Sequence, residues 1–216
     1  MKTLVFDTSG RTFSAALADG PQIVARYAER EPGQVSERLL PIVDRLLDGA
    51  GWKKTDLEAV GFVDGPGSFT GLRIGLSTAL GLQAGLGLKL AAAGTFESLA
   101  ETASGQGKPV ICLEDARIGQ FYAALYDAAG TPDSRLPEGA YPEATVRRFI
   151  APDVLRAGRG WNSRNGAVFG PLPADIDAPG IAAIARIIHR KAGAGAWSGP
   201  DSVRPRYLGI SPVEAK

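Results

Sequence analysis

Gly65-Pro66-Gly67-Ser68-Phe69-Thr70-Gly71-Leu72-Arg73-Ile74-Gly75 joins an apolar run over 57–64 to a long helical pattern. The run reads as a strand, and the glycines and proline give the junction a tight turn. Ser68 or Thr70 can cap the helix, and the first free amides there can also meet an anion. A phosphate-binding Walker loop needs a glycine, four residues, a second glycine and then lysine. Counting from Gly65 puts Thr70 in the second glycine's place, and counting from Pro66 removes the first glycine. A nucleophile elbow around Ser68 needs glycines where Pro66 and Thr70 stand, and the single histidine, His189, lies far along the chain. The junction is therefore neither a P-loop nor a serine-hydrolase site.

Downstream, Gly71, Gly75, Gly81 and Gly85 share one helix predicted over 70–88. Each costs about 1 kcal/mol against alanine, so this helix needs compensation. Gly71, Gly75 and Ala79 recur every four residues, as do Ser77, Gly81 and Gly85, leaving two shallow stripes for close backbone approach. Either one stripe lies on the domain's own sheet or helix and the other takes a partner's helix, or both serve internal packing.

Upstream, 2–7, 12–19 and 22–30 read as three strands in an antiparallel meander, the last two separated by Asp19-Gly20-Pro21. A helical period over 34–50 aligns Val35, Leu39, Ile42, Val43, Leu46 and Ala50, with Leu40 and Leu47 widening the apolar arc beyond one sheet contact. Pro41 predicts a kink there or a later start. Beyond the glycine-rich helix, 89–93, 109–113 and 119–126 read as strands around a helix at 95–103. The pattern weakens after Ala128, where a helix at 180–191 is the firm element. The length of 216 residues fits either one large domain or one full lobe followed by a smaller one. Two unequal lobes, 1–105 and 106–216, are expected; the order three strands, helix, strand, helix is the feature that stands out.

With 24 Lys plus Arg against 23 Asp plus Glu, the net charge of +1 gives no footprint for gripping a polyanion unaided. A single cysteine, Cys112, excludes an internal disulfide framework and suits a cytoplasmic setting. The first residues lack the order of a secretion signal. The apolar stretch 76–94 is broken by Gln83, Lys89 and several glycines, so no membrane span is expected.

Several motifs together resemble the TsaB (YeaZ) family of tRNA threonylcarbamoyladenosine (t6A) synthesis. They are Leu4-Val5-Phe6-Asp7-Thr8-Ser9, Ser36-Glu37-Arg38-Leu39-Leu40-Pro41 and the whole of 65–75. Asp115-Ala116-Arg117 with Gly119 and Phe121-Tyr122 adds support, as does Pro205-Arg206-Tyr207-Leu208. The similarity covers about the first 125 residues. That family is related to the catalytic TsaD subunit and to actin-like and sugar-kinase ATPases.

The resemblance implies an α/β, actin-like ATPase (RNase H-like) fold, with a mixed sheet opening β-β-β-α-β-α and a smaller, reduced second lobe. It implies an accessory subunit with no catalytic site, metal or cofactor of its own. Such a subunit binds TsaD through the two helices, presents a platform for the ATPase TsaE, meets tRNA only indirectly and is often a homodimer when free. The implied interface comprises Ser36, Leu39, Leu40, Val43, Leu47, Gly71, Leu72, Gly75, Thr78, Ala79 and Leu82. Leu39→Asp or Gly75→Glu is then expected to break the contact and leave the fold intact.

Catalytic relatives hold a metal with paired histidines at helical spacing, which one histidine does not allow. Many TsaB proteins carry a histidine where Val35 stands, and His189 reads as a packed or surface helix residue. The alternative function is a small actin-like ATPase or kinase, with Asp7, Thr8 and Ser9 and the 65–71 loop as nucleotide candidates. The competing reading of Asp7-Thr8-Ser9 is a turn stabilised by its own side chains. Asp115 and Arg117 form either an internal ion pair or a polar edge. Trp161 and Trp197 are the main apolar anchors of the C-terminal half.

Overall fold

The structure is a computed structural model that describes residues 1–31, 33–116, 119–170 and 174–208. Its elements run β1 (Lys2–Asp7), β2 (Thr12–Asp19), β3 (Gln22–Arg30), α1 (Val35–Ala50), β4 (Ala59–Gly65), α2 (Phe69–Leu86) and β5 (Lys89–Gly94). There follow α3 (Thr95–Ala103), β6 (Val110–Asp115), β7 (Gln120–Tyr126), β8 (Gly139–Pro142), α4 (Glu143–Arg147), β9 (Leu155–Ala157) and α5 (Ile181–Gly193). The chain divides into two compact units, Met1–Thr95 with Gly180–Arg206, and Phe96–Pro179 with Tyr207 and Leu208.

In the first unit the sheet order is β3-β2-β1-β4-β5. The first three strands form the expected antiparallel meander, and β1, β4 and β5 run parallel. Period-two alternation sends Leu4 and Phe6 into a core shared with α1 and α2, and Val5 into the core beneath α5. Covering both faces explains why β1 reads as an almost unbroken apolar run. A register shift opposite Leu17 and Ala18 leaves Val24 as the extra residue of β3, exposed at the sheet edge.

Helix α1 starts at Val35 and continues through the exposed Pro41, so its start is not the later one that Pro41 allowed. Its apolar face buries Leu39, Ile42, Val43 and Leu47. Helix α5 was expected within the second lobe, yet it packs on the first sheet. Ile181, Ile184, Ile187 and Ile188 fill that sheet's second face together with Val5, Ala16 and Ala91.

The second unit holds a sheet of order β8-β7-β6-β9, antiparallel except for β6 with β9. One face packs Cys112 and Tyr126 beneath Phe96 and Leu99 of α3. Burial pushes the Cys112 thiol well above its ordinary pKa. The other face packs Phe121 and Tyr141 with Trp161 and Phe169, the ring centroids of Trp161 and Phe169 lying 5.4 Å apart. Trp197 packs instead against the first unit's core, where Lys89 stands over its ring. Among the described residues no helix is long and apolar enough to cross a membrane.

Candidate interaction face on helices α1 and α2

The two stripes of α2 have different fates. A Cβ added at Gly71 would lie 1.9 Å from the Thr8 carbonyl oxygen, and one at Gly75 would lie 2.6 Å from Thr8 Oγ1. Ala79 is fully buried. This stripe therefore lets α2 close on the end of β1 inside the unit. Along the other stripe Ser77, Gly81 and Gly85 are exposed, and a Cβ at either glycine would meet nothing within 4 Å.

Burial sorts the expected interface residues in the same way. Leu39, Val43, Leu47, Leu72, Gly75 and Ala79 are buried within the first unit. Gly71 is closed against Thr8. Ser36 and Leu40 are exposed, Leu40 at 49%, while Thr78 and Leu82 are half-buried. The variants Leu39→Asp and Gly75→Glu would consequently strike the core, not the surface.

Besides the expected Ser36 and Leu40, two residues that sequence reasoning passed over also face outward. Phe69 is 52% exposed, and the Arg73 guanidinium stacks 3.7 Å from its ring centroid. Both line a groove of about 420 Å³ together with Ser36, Thr70, Ile74, Ser77 and Thr78. The available signal was the second small-residue stripe, with Phe69 and Arg73 four residues apart at the helix start.

Beside this face, Arg38 of α1 pairs with Glu29 of β3, and both bond the Tyr27 hydroxyl. The Arg38 hydrogen bond holds the Glu29 carboxyl below its ordinary pKa, and the hydrogen bond to Glu29 raises that of Tyr27.

The turn after β1 works as a latch. Asp7, Thr8 and Ser9 are buried, and the Ser9 amide donates to Asp7 Oδ1 at 2.7 Å. Thr8 Oγ1 donates to the Gly71 carbonyl at 2.7 Å, and the Ser68 amide donates to the Ser9 carbonyl at 2.7 Å. Ser68 caps α2 by accepting from the Gly71 amide at 3.3 Å. The Asp7 side chain thus bonds within its own turn, and Thr8 reaches across to α2.

The remaining polar candidates separate cleanly. Asp115 is exposed at the end of β6, while Arg117 lies outside the described residues. The buried acid of that strand is Glu114, paired with Arg159. His189 is half-buried on α5, and a Cβ at Gly20 would lie 3.7 Å from its Cε1. Among the described residues no group of three His, Cys, Asp or Glu could hold a metal ion.

A mixed sheet opening β-β-β-α-β-α, with helices on both faces, defines the actin-like, RNase H-like class. The family model for TsaD, tRNA N6-adenosine threonylcarbamoyltransferase, matches residues 29–143. The chain is 32% identical over 170 residues to the tRNA threonylcarbamoyladenosine biosynthesis protein TsaB of Escherichia coli K12, covering 76% of this chain and 73% of that protein. It is 33% identical over 126 residues to TsaB of Bacillus subtilis, 55% of whose length it spans. The solved structure of YeaZ from Pseudomonas aeruginosa superposes with a TM-score of 0.79 at 27% identity, covering 96% of this chain and 99% of that one. The chain belongs to the TsaB (YeaZ) family.

Proposed function

We propose that this chain is a non-catalytic, cytoplasmic subunit of t6A synthesis that holds a TsaD-type catalytic subunit against the outward side of α1 and α2. The observation that carries the reading is the open Ser77, Gly81 and Gly85 stripe, flanked by the exposed Phe69, Arg73 and Leu40. Small residues let a second helix approach closely, and the flanking large side chains supply area to bury. The held pair presents a platform for a TsaE-type ATPase, and tRNA meets this chain only through the partner. In the free protein the same face pairs two copies. What weighs against a nucleotide site at Asp7 and the 65–71 loop is that the chain's own Ser9 and Arg206 already crowd that loop.

Co-expression with the TsaD homologue of the same organism, followed by size-exclusion chromatography, tests the reading. Wild type is expected to co-elute with the homologue. Leu40→Asp and Gly81→Leu should each abolish co-elution while keeping the wild-type circular dichroism, with a melting temperature close to wild type for Leu40→Asp and at or above it for Gly81→Leu, because both sites are open. Co-elution retained by both variants would overturn the proposal.

A further inference from the structure

We infer that Arg206 is a positioning residue for the interaction face, holding the start of α2 in place from the far end of the sequence; this rests on the docking role proposed above. Arg206 lies 142 positions from Asp64, yet joins it through backbone and side chain. Its amide donates to the Asp64 carbonyl at 2.7 Å, and Nη2 reaches Asp64 Oδ2 at 3.3 Å. Its own carbonyl closes on Gly65, where a Cβ would sit 2.8 Å away, and Nη1 fills the place a Cβ at Gly94 would approach to 3.0 Å. One residue thus bridges the ends of neighbouring parallel strands β4 and β5. The segment leading to it is anchored by Val203, buried in the core that contains Leu4, Leu39 and Leu90.

The consequence lies in what Asp64 and Gly65 lead into. Within a few residues they become Ser68, the cap of α2, and then Phe69, Thr70 and Arg73, which line the groove. The loop has two walls. Ser9 and Thr8 form one, and Arg206 forms the other. Removing the guanidinium takes one partner from Asp64 and opens space at Gly94, freeing the loop and the first turn of α2 while both cores stay packed. A lysine in its place offers one point charge where the planar fork now reaches both strand ends.

Hydrogen exchange on the free chain, with capture of the TsaD homologue measured in parallel, tests this. Arg206→Ala should raise amide exchange over 65–75 by about tenfold relative to 2–19. It should also weaken capture roughly tenfold, with Arg206→Lys restoring neither fully. Gly81→Leu serves as the contrast, losing capture with no rise in exchange over 65–75. Wild-type exchange over 65–75 in Arg206→Ala would overturn the inference. So would a uniform rise across the chain, which marks a general stability role, or faster local exchange with wild-type capture. Because exchange is read without the partner, failure of wild type to capture the homologue would sink the docking reading and leave the hold of Arg206 on the loop separately measured.

Discussion

The bare Cα of Gly71 faces the carbonyl of Thr8 so closely that a Cβ would lie 1.9 Å from that oxygen, while the Thr8 hydroxyl donates to Gly71's own carbonyl at 2.7 Å. The obstacle is backbone, which has no rotamer to move aside. Gly71→Ala should therefore destabilise by about 3 kcal/mol despite alanine's better helix propensity. Thr8→Val, which removes the hydrogen bond and keeps the shape, should cost about 1 kcal/mol. Urea unfolding of the two variants measures both, and Gly71→Ala at or above wild-type stability would refute the close packing.

Leu39 and Leu40 are sequence neighbours with opposite environments, 1% and 49% exposed. Leu39→Asp places a carboxylate in the core and should cost roughly 3 kcal/mol or more. Leu40→Asp should stay within about 0.5 kcal/mol of wild type, as expected for a surface site. Paired thermal melts separate them, and equal losses would contradict the helix orientation.

The fold was largely legible because its signals are local. Continuous apolar runs marked β1 and β4, the 3.6-residue period marked α1, and the glycine-rich, capped junction marked the start of α2. Which stripe of α2 faces inward was not legible. Gly71, Gly75 and Ala79 repeat just as Ser77, Gly81 and Gly85 do, and only the position of Thr8 in space tells them apart. The second unit was obscure for a related reason. Its strands β8 and β9 are only 4 and 3 residues long, too short to show a period. The placement of α5 on the first sheet depends on contacts from roughly ninety to well over a hundred positions apart in sequence, which no window of residues contains.

Glu29, Arg38 and Tyr27 provide a pH signature beside the interaction face. Hydrogen bonding to Arg38 lowers the folded-state pKa of Glu29. A lowered carboxylate pKa stabilises the fold above the unfolded-state value, and this contribution is lost as pH falls through the folded value. The stability gap between wild type and Glu29→Gln should accordingly be present at neutral pH and shrink in acid below the ordinary Glu range. Urea titrations at several pH values check the sign, and a gap that widens in acid would be inconsistent with the pairing.

In the second unit, Glu114 is 4% exposed and accepts from the Arg159 backbone amide as well as its guanidinium. Arg159→Ala deprives a buried carboxylate of its cationic partner, while Arg159 itself is only partly buried. A loss of about 2 kcal/mol is expected, below the cost of breaking a fully buried pair. Denaturant unfolding followed by the Trp161 environment reads this directly, and a neutral result would show that Glu114 is satisfied without Arg159.

Gly81 and Gly85 set stability and docking against one another. Both lie within α2 in open space, so each carries the helix cost of glycine with no close contact among the described residues to justify it. Alanine at each position should raise stability by up to about 1 kcal/mol, because a methyl group meets nothing and the unfolded chain loses conformational freedom. On the proposed docking face, the same two methyl groups would hold a partner's helix backbone away. The Gly81→Ala, Gly85→Ala double variant should therefore melt higher than wild type and bind the TsaD homologue more weakly. Calorimetric melting and a pull-down on the same preparation decide it, and a variant that is both more stable and equally tight-binding would place the partner elsewhere on the molecule.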